Sequence, residues 1–367
     1  MTDYYVRPVN GSDASAGTSF ASAWKTFQFG IDSLSPGDRL LCCNEGTDDY
    51  TANINFDVLA GTVTSRIIIE GRDGTDGSTP DYFTVRATGS MASLLRWPSN
   101  AKGEYIVLER IIVNANGNAT YGVHQNVDTV AQVVMRDCRV TGATSHGIFV
   151  RNNRWIIENT EVDNNGGDGI TTEANRGVLV VTDCDIHDNT GSGINPFTGP
   201  TSPGGSVYLR NRIYSNGGDG IEVGTNYGSN SVIENNTIHG NSGDGIDVAG
   251  TVNLLLTIRN NALTSNGGYG MNLGATDSPT FNSAYNLCNG NISGATSGST
   301  VHDHLLTSSP GYTDAANDDF TPTSSSALVG AGSGGTTIGA LCAAAGGGGG
   351  GSGGSPIIGS AIVRAAA

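Results

Sequence analysis

The chain has 367 residues, a formal charge of −16, and only two lysines (Lys25, Lys102) beside 16 arginines, so no basic stripe can track a phosphate backbone and nucleic acid is not an expected partner. The same acidity opposes acidic polysaccharides unless arginines or cations gather locally, and leaves neutral glycans open. Charged residues make up 14% of the chain and glycine numbers 55, with asparagine, serine and threonine abundant, a composition that favours turns and strands over helices.

The opening MTDYYVRPVNGSD has neither a basic segment nor an apolar run, and no stretch of about 18 apolar residues follows, so neither a Sec signal nor membrane insertion is expected. From Ser19 to Leu34, apolar residues at Phe20, Trp24, Phe27 and Ile31 have the spacing of an amphipathic helix that stops before Ser35-Pro36-Gly37-Asp38. This predicts a capping helix over the first turn of whatever follows.

From about Tyr105 to Ala275 one pattern recurs: an apolar residue, a polar turn with asparagine, then Gly-x-Gly-Ile or a close relative. Val140, Val162, Ile186, Ile213, Ile238 and Leu263 are each followed eight residues later by Ile148, Ile170, Ile194, Ile221, Ile246 and Met271. A period near 25 residues, carried on short β-branched runs, predicts an all-β solenoid, a right-handed parallel β-helix with three strands per coil. Stacked coils would align Asn165, Asn189, Asn216, Asn241 and Asn266 as one ladder, with Ala143 at its head. A second column holds Cys138, Thr160, Cys184, Asn211, Asn236 and Asn261. Its two cysteines would lie roughly 9–10 Å apart, beyond disulfide reach. With no CxxC pair, the six cysteines (Cys42, Cys43, Cys138, Cys184, Cys288, Cys342) read as reduced thiols, mostly in the core.

The resulting division is a cap with first coils (1–104), regular repeats (105–275), closing coils and cap (276–345), a glycine-rich linker (346–355) and a terminal peptide (356–367). Ile357, Ile358, Ile362 and Val363 in that peptide suit docking on a sheet edge or groove of a partner.

The opening segment from Tyr4 to Cys42, the NNGGDGI, NGGDGIEV and NSGDGIDV copies, and the closing SPGYTDAANDDFTPTSSSALVGAG with TTIGAL resemble pectate-lyase-like right-handed β-helix proteins over residues 1 to about 341. The resemblance implies the fold and little about activity, because that superfamily includes lyases, hydrolases, epimerases, phage tailspikes and inert structural proteins. A uronate lyase of this kind would present an arginine or lysine base beside calcium-binding carboxylates. Arg210 and Arg212 are the nearest in sequence, and pairing with neighbouring acids is the simpler reading for both. The aspartate-pair and Gly-His-Gly patterns of polygalacturonase-like hydrolases and the Asp-Pro-His-Glu pattern of alginate epimerases are missing. The glycine-rich tail resembles those of some bacteriophage virion proteins.

Asp219, Glu222, Asp244 and Asp247 should form one outward cluster on adjacent coils, with Asp168 in the same column beyond Ser192. Such carboxylates can act as acid and base, or hold calcium, the cation their oxygens suit. The plainer reading makes the aspartate of Gly-Asp-Gly a turn residue tolerant of left-handed backbone. Tyr121, His124 and His146 fall on adjacent coils and read as surface turn residues. Phe197, Tyr227 and Tyr269 are aromatic loop residues suited to stacking on sugars. The sequence therefore predicts a structural surface protein of a virion, a tail spike or capsid decoration. Other virion proteins or its own subunits in a homotrimer would be partners, and a cell-surface glycan its ligand. The alternative is a polysaccharide lyase or hydrolase using the carboxylate face.

Overall fold

The computed structural model describes residues 1–56, 61–98, 104–126, 132–152, 154–176, 178–196, 205–224, 231–248, 256–274, 281–298 and 302–340. The docking peptide, Cys342, Phe197 and Tyr227 lie outside the described residues.

Short β-branched runs separated by asparagine- and glycine-containing corners can only bury their apolar side by stacking on the next copy of themselves. The described strands do this in three parallel sheets of 11, 10 and 10 strands, each strand hydrogen-bonded to its counterpart one coil away. Both anchor columns read from the sequence are columns of the fold. Val140, Val162, Ile186, Ile213, Ile238 and Leu263 are register partners on the second sheet. Ile148, Ile170, Ile194, Ile221, Ile246 and Met271 are partners on the third. All twelve are fully buried in one continuous core. The coils also begin earlier than the repeat: Ile54, Leu95 and Val123 already occupy the third-sheet column, without the Gly-x-Gly-Ile signature.

Two corners per coil are built alike. After the first sheet the chain turns through a left-handed residue, Asn159, Asp183, Arg210, Asn235 or Asn260 in successive coils. After the second it turns through Asn164, Asp188, Ser215, Gly240 or Ser265. An asparagine follows each corner residue in the later coils, and both asparagine columns are buried ladders. In the ladder expected from sequence, Asn216 Nδ2 donates to Asn241 Oδ1 at 2.9 Å and to the Ile186 carbonyl at 3.0 Å, and Asn241 repeats the pattern onto Asn266 and Ile213. The column of Cys138 and Cys184 becomes a second ladder from Asn211 through Asn236 and Asn261 to Asn286. Cys138 and Cys184 there, with Cys42, Cys43 and Cys288, are free and buried.

The N-terminal cap is shorter than its sequence period. Phe20–Ser22 is a single 3₁₀ turn, and the α-helix is Phe27–Ser33, opened by Thr26, whose hydroxyl accepts from the Phe29 N–H. The interruption has a cause: Trp24 bridges to the edge strand at Val6, while Asp13 accepts from the backbone of Lys25 and Thr26, holding 24–26 extended. Trp24, Phe27 and Ile31 still plug the core as expected.

At the other end the chain folds back over the outside of the second sheet. The hairpin of Tyr312–Asp314 and Asp319–Pro322 sets Phe320 against Tyr214 and His239, and Leu328 and Ile338 pack with Ala262 and Leu287. On the first sheet the outward row is aliphatic, running through Val107, Val134, Ile156, Val180, Val207 and Val232. The second sheet's outward row, through Thr141, Asp163, His187, Tyr214 and His239, is polar and aromatic, and the folded-back segment covers its later part; the third sheet's outward rows carry acids, amides, histidines and aromatics along the coils.

Candidate functional site

Two rows run along the outside of the third sheet. The row just before the glycine of each Gly-x-Gly-Ile copy reads Ser93, Tyr121, His146, Asp168, Ser192, Asp219, Asp244, Tyr269. The row just after the buried anchor reads Asn55, Arg96, His124, Phe149, Thr171, Asn195, Glu222, Asp247, Asn272. Steps of about 4.8 Å between strands make this one face with a residue pair per coil.

The first row has a backbone function. From His146 to Asp244 the side chain of each member accepts a hydrogen bond from the backbone N–H of the next: His146 Nδ1 from Asp168 at 3.0 Å, Asp168 Oδ1 from Ser192 at 2.8 Å, Ser192 Oγ from Asp219 at 3.2 Å. Asp219 Oδ1 then accepts from Asp244, and Asp244 Oδ1 from Tyr269. The left-handed residues lie four positions earlier, at Asn164, Asp188 and Ser215, so tolerance of left-handed backbone is not why aspartate occupies Gly-Asp-Gly. The position needs a short acceptor reaching the coil above, which explains why Asp, Ser and His exchange there. Because Asp168 N–H donates to His146 Nδ1, that imidazole carries its proton on Nε2, and burial holds its pKa below the usual value.

The expected quartet is brought together. Glu222 and Asp247 are register partners in the second row, beside Asp219 and Asp244. Loss of solvent pushes the Asp219 and Asp247 carboxyls up to about 6, and the neighbouring carboxylates add to this in both. Glu222 accepts from the Ser192 hydroxyl at 3.2 Å. These four do not converge on a cation: among the described residues no group of three or more His, Cys, Asp or Glu is arranged to hold a metal ion. Tyr269 continues the first row directly after Asp244 and is half-buried.

Arg210 and Arg212 stand elsewhere. Arg210 pairs with Asp183 at a first corner, and Arg212 makes a two-pronged ion pair with Asp185 on the second sheet and also donates to the Asp318 carbonyl of the folded-back segment. Arg212 is buried rather than at the surface, and neither guanidinium is placed as a base beside the carboxylate face.

Tyr121, His124 and His146, expected near one another on adjacent coils as surface turn residues, form one aromatic patch with Phe149. The Tyr121 ring lies 4.5 Å from His124, 5.1 Å from Phe149 and 6.0 Å from His146, and the His124 ring stacks on Phe149 at 5.2 Å. Phe149 was missed, although its place immediately after a buried anchor puts it outside by alternation.

Comparison with known proteins agrees with the coiled fold. Residues 121–286 match the family model described as right handed beta helix region. A pectate lyase, Pel9A, superposes with a TM-score of 0.70 at 18% identity, over 92% of this chain and 95% of its own. The A-module of the Azotobacter vinelandii mannuronan C-5 epimerase AlgE4 superposes with a TM-score of 0.58 at 16% identity, over 79% of each chain. A search of curated protein sequences gave no significant match. At these identities the likeness is one of fold: the chain is a right-handed parallel β-solenoid of pectate-lyase-like architecture, and residues 121–286 carry its right-handed β-helix region.

Proposed function

We propose that the chain is a surface glycan-binding rod that holds a polysaccharide along the outside of its third sheet. The observation that carries this reading is the continuous face itself. An aromatic patch at Tyr121, His124, His146 and Phe149 runs into a row of hydroxyl, amide and carboxylate groups from Asp168 to Asp247, and Tyr269 follows. Aromatic faces stack on the apolar faces of sugar rings, and half-buried carboxylates and amides accept and donate to hydroxyls in fixed positions. The fold likeness to a pectate lyase and a mannuronan epimerase supports polysaccharide as the ligand class. The acidic later coils favour a neutral stretch of glycan there. Within this reading the rod belongs on a virion surface, with a cell-surface glycan as its ligand.

A second reading is favoured by one observation, the two carboxyls held near pKa 6. Either can exchange a proton close to neutral pH, as the acid of a glycoside hydrolase must, with Glu222 and Asp244 as neighbouring carboxyl groups. The test is a panel of neutral and acidic polysaccharides, with and without calcium, scored for retention and for new chain ends. Retention without new ends, reduced by Tyr121→Ala, is expected for the binding rod. New ends abolished by Asp247→Asn or Glu222→Gln would replace it with the hydrolase reading. Retention unchanged by either kind of variant would remove the third-sheet face from both.

A further inference from the structure

The third-sheet face has two electrically different ends. Carboxylates occupy the later coils, whereas Arg96 and Arg151 lie at the earlier one, beside Tyr121, His124 and Phe149. Strand register sets Arg96 directly against His124 and Ser93 directly against Tyr121, so these four side chains share one patch two strands wide.

Three polar atoms in that patch are buried without a hydrogen-bond partner among the described residues: Ser93 Oγ, Arg96 Nε and His124 Nδ1. Only three others in the described chain share that condition, Arg72 Nε, Arg110 Nε and His302 Nε2, so half of these orphans fall on one pair of neighbouring strands. Buried polar groups are ordinarily paired, and these three have a common need. A serine hydroxyl and a guanidinium N–H are donors, and imidazole Nδ1 is a donor in one tautomer. A group that only accepts suits each of the three.

The charge of that group follows from Arg96. Arg110, Arg136, Arg139, Arg210 and Arg212 each have a carboxylate partner. Among the described residues Arg96 has none. Burial, together with the charges of Arg96 and Arg151, pushes the His124 imidazole down to about 4, so the local field is positive on a chain of net charge −16. Arginine binds carboxylate and sulfate oxygens through its planar fork of N–H groups, which a lone water does not match.

We propose that Ser93, Arg96 and His124, walled by Tyr121 and Phe149, form an oxyanion site at the early end of the third-sheet face, which takes a carboxylate or sulfate substituent of the bound glycan. The site gives the face a direction: a charged substituent anchors at Arg96, and the uncharged chain runs over the aromatic patch toward the acidic coils. The proposal rests on the glycan-binding reading for its ligand, but the oxyanion site stands or falls on its own residues.

The test uses the full chain and begins with inorganic sulfate, followed through the histidine ring resonances. Saturable movement of the His124 signals, lost in Arg96→Gln and partly retained in Arg96→Lys, is the expected result. Movement that is linear in salt and unchanged in Arg96→Gln is an ionic-strength effect only and overturns the site. Dextran, carboxymethyl-dextran and dextran sulfate then share one backbone and differ in charge. At least tenfold tighter binding of one charged form, removed by Arg96→Gln but not by Arg136→Gln on the first sheet, supports the substituent, and the preferred form tells carboxylate from sulfate. Equal binding of all three overturns it. Tyr269→Ala, at the far end of the face, separates the two readings: sulfate response kept with glycan retention unchanged sinks the glycan face alone.

Discussion

Asn241→Ala removes one rung from the middle of a buried ladder, and its cost can be worked from the bonds it breaks. Asn241 Oδ1 accepts from the Asn216 backbone N–H at 3.1 Å and from Asn216 Nδ2 at 2.9 Å, while Asn241 Nδ2 donates to the Ile213 carbonyl and to Asn266 Oδ1, each at 3.1 Å. Both asparagines are 1% exposed, so water does not replace what is lost. The Asn216 N–H loses its acceptor outright, at roughly 1–3 kcal/mol for a buried unsatisfied group, and three further groups each lose one of their bonds at about 0.5–1 kcal/mol. The expected loss is about 3–5 kcal/mol, from a coil whose neighbours on both sides depend on it. Urea unfolding followed by far-UV circular dichroism checks it, with the steepness of the transition compared between variants to detect separate unfolding of the two halves. A loss below about 1 kcal/mol would refute the ladder as a source of stability.

Arg212→Ala removes the two-pronged partner of the buried Asp185 carboxylate and should cost about 3–5 kcal/mol by denaturant unfolding, with the double variant Arg212→Met/Asp185→Asn recovering most of it. Asp247 has a folded-state pKa above its unfolded value. The folded chain therefore holds the extra proton between about pH 4 and 6, stability falls as pH rises through that window, and Asp247→Asn should raise the unfolding midpoint at pH 7.5 and leave it unchanged near pH 3; after discounting for solvent the gain is about 1 kcal/mol. Phe149→Ala should weaken glycan retention about 2- to 12-fold, the range of about 0.5–1.5 kcal/mol for one aromatic contact, without shifting the midpoint by more than a few degrees. Cys42, Cys43, Cys138, Cys184 and Cys288 should be silent to a thiol reagent until the chain unfolds: all are buried, and loss of solvent pushes Cys43, Cys138 and Cys288 up to about 12.

The parts of the fold legible in the sequence are those in which one residue type must recur at one place in every coil. The aliphatic anchors and the asparagine ladder have that property, because a coil can be hydrogen-bonded and packed only against a copy of itself. The second ladder was half-hidden, since Cys138, Thr160 and Cys184 occupy its early rungs and only the later ones are asparagine. The coils before Tyr105 were not legible as repeats, because their corners are built without Gly-x-Gly-Ile although their anchors share the same register. The helix period from Phe20 to Ile31 identified the capping residues and overstated the helix, because Asp13 and the Trp24 bridge hold the middle of the segment extended.

At the site, the column of Asp168, Asp219 and Asp244 was evident from spacing, but its hydrogen bond to the coil above was not, since a repeating aspartate looks the same whether it serves backbone or ligand. The aromatic patch needed the strand register: Tyr121 and Phe149 are 28 residues apart in sequence and lie on neighbouring strands of the sheet. Ser93 and Arg96 carry no motif at all, and only burial without a partner distinguishes them.

The most direct measurement of the central claim is a crystal structure of the full chain with the oligosaccharide that the panel retains most strongly. The account predicts sugar rings laid across successive coils of the third sheet, in contact with Tyr121 and Phe149 and reaching toward Asp247. Sugar bound on the first or second sheet, with the third-sheet rows untouched, would contradict it.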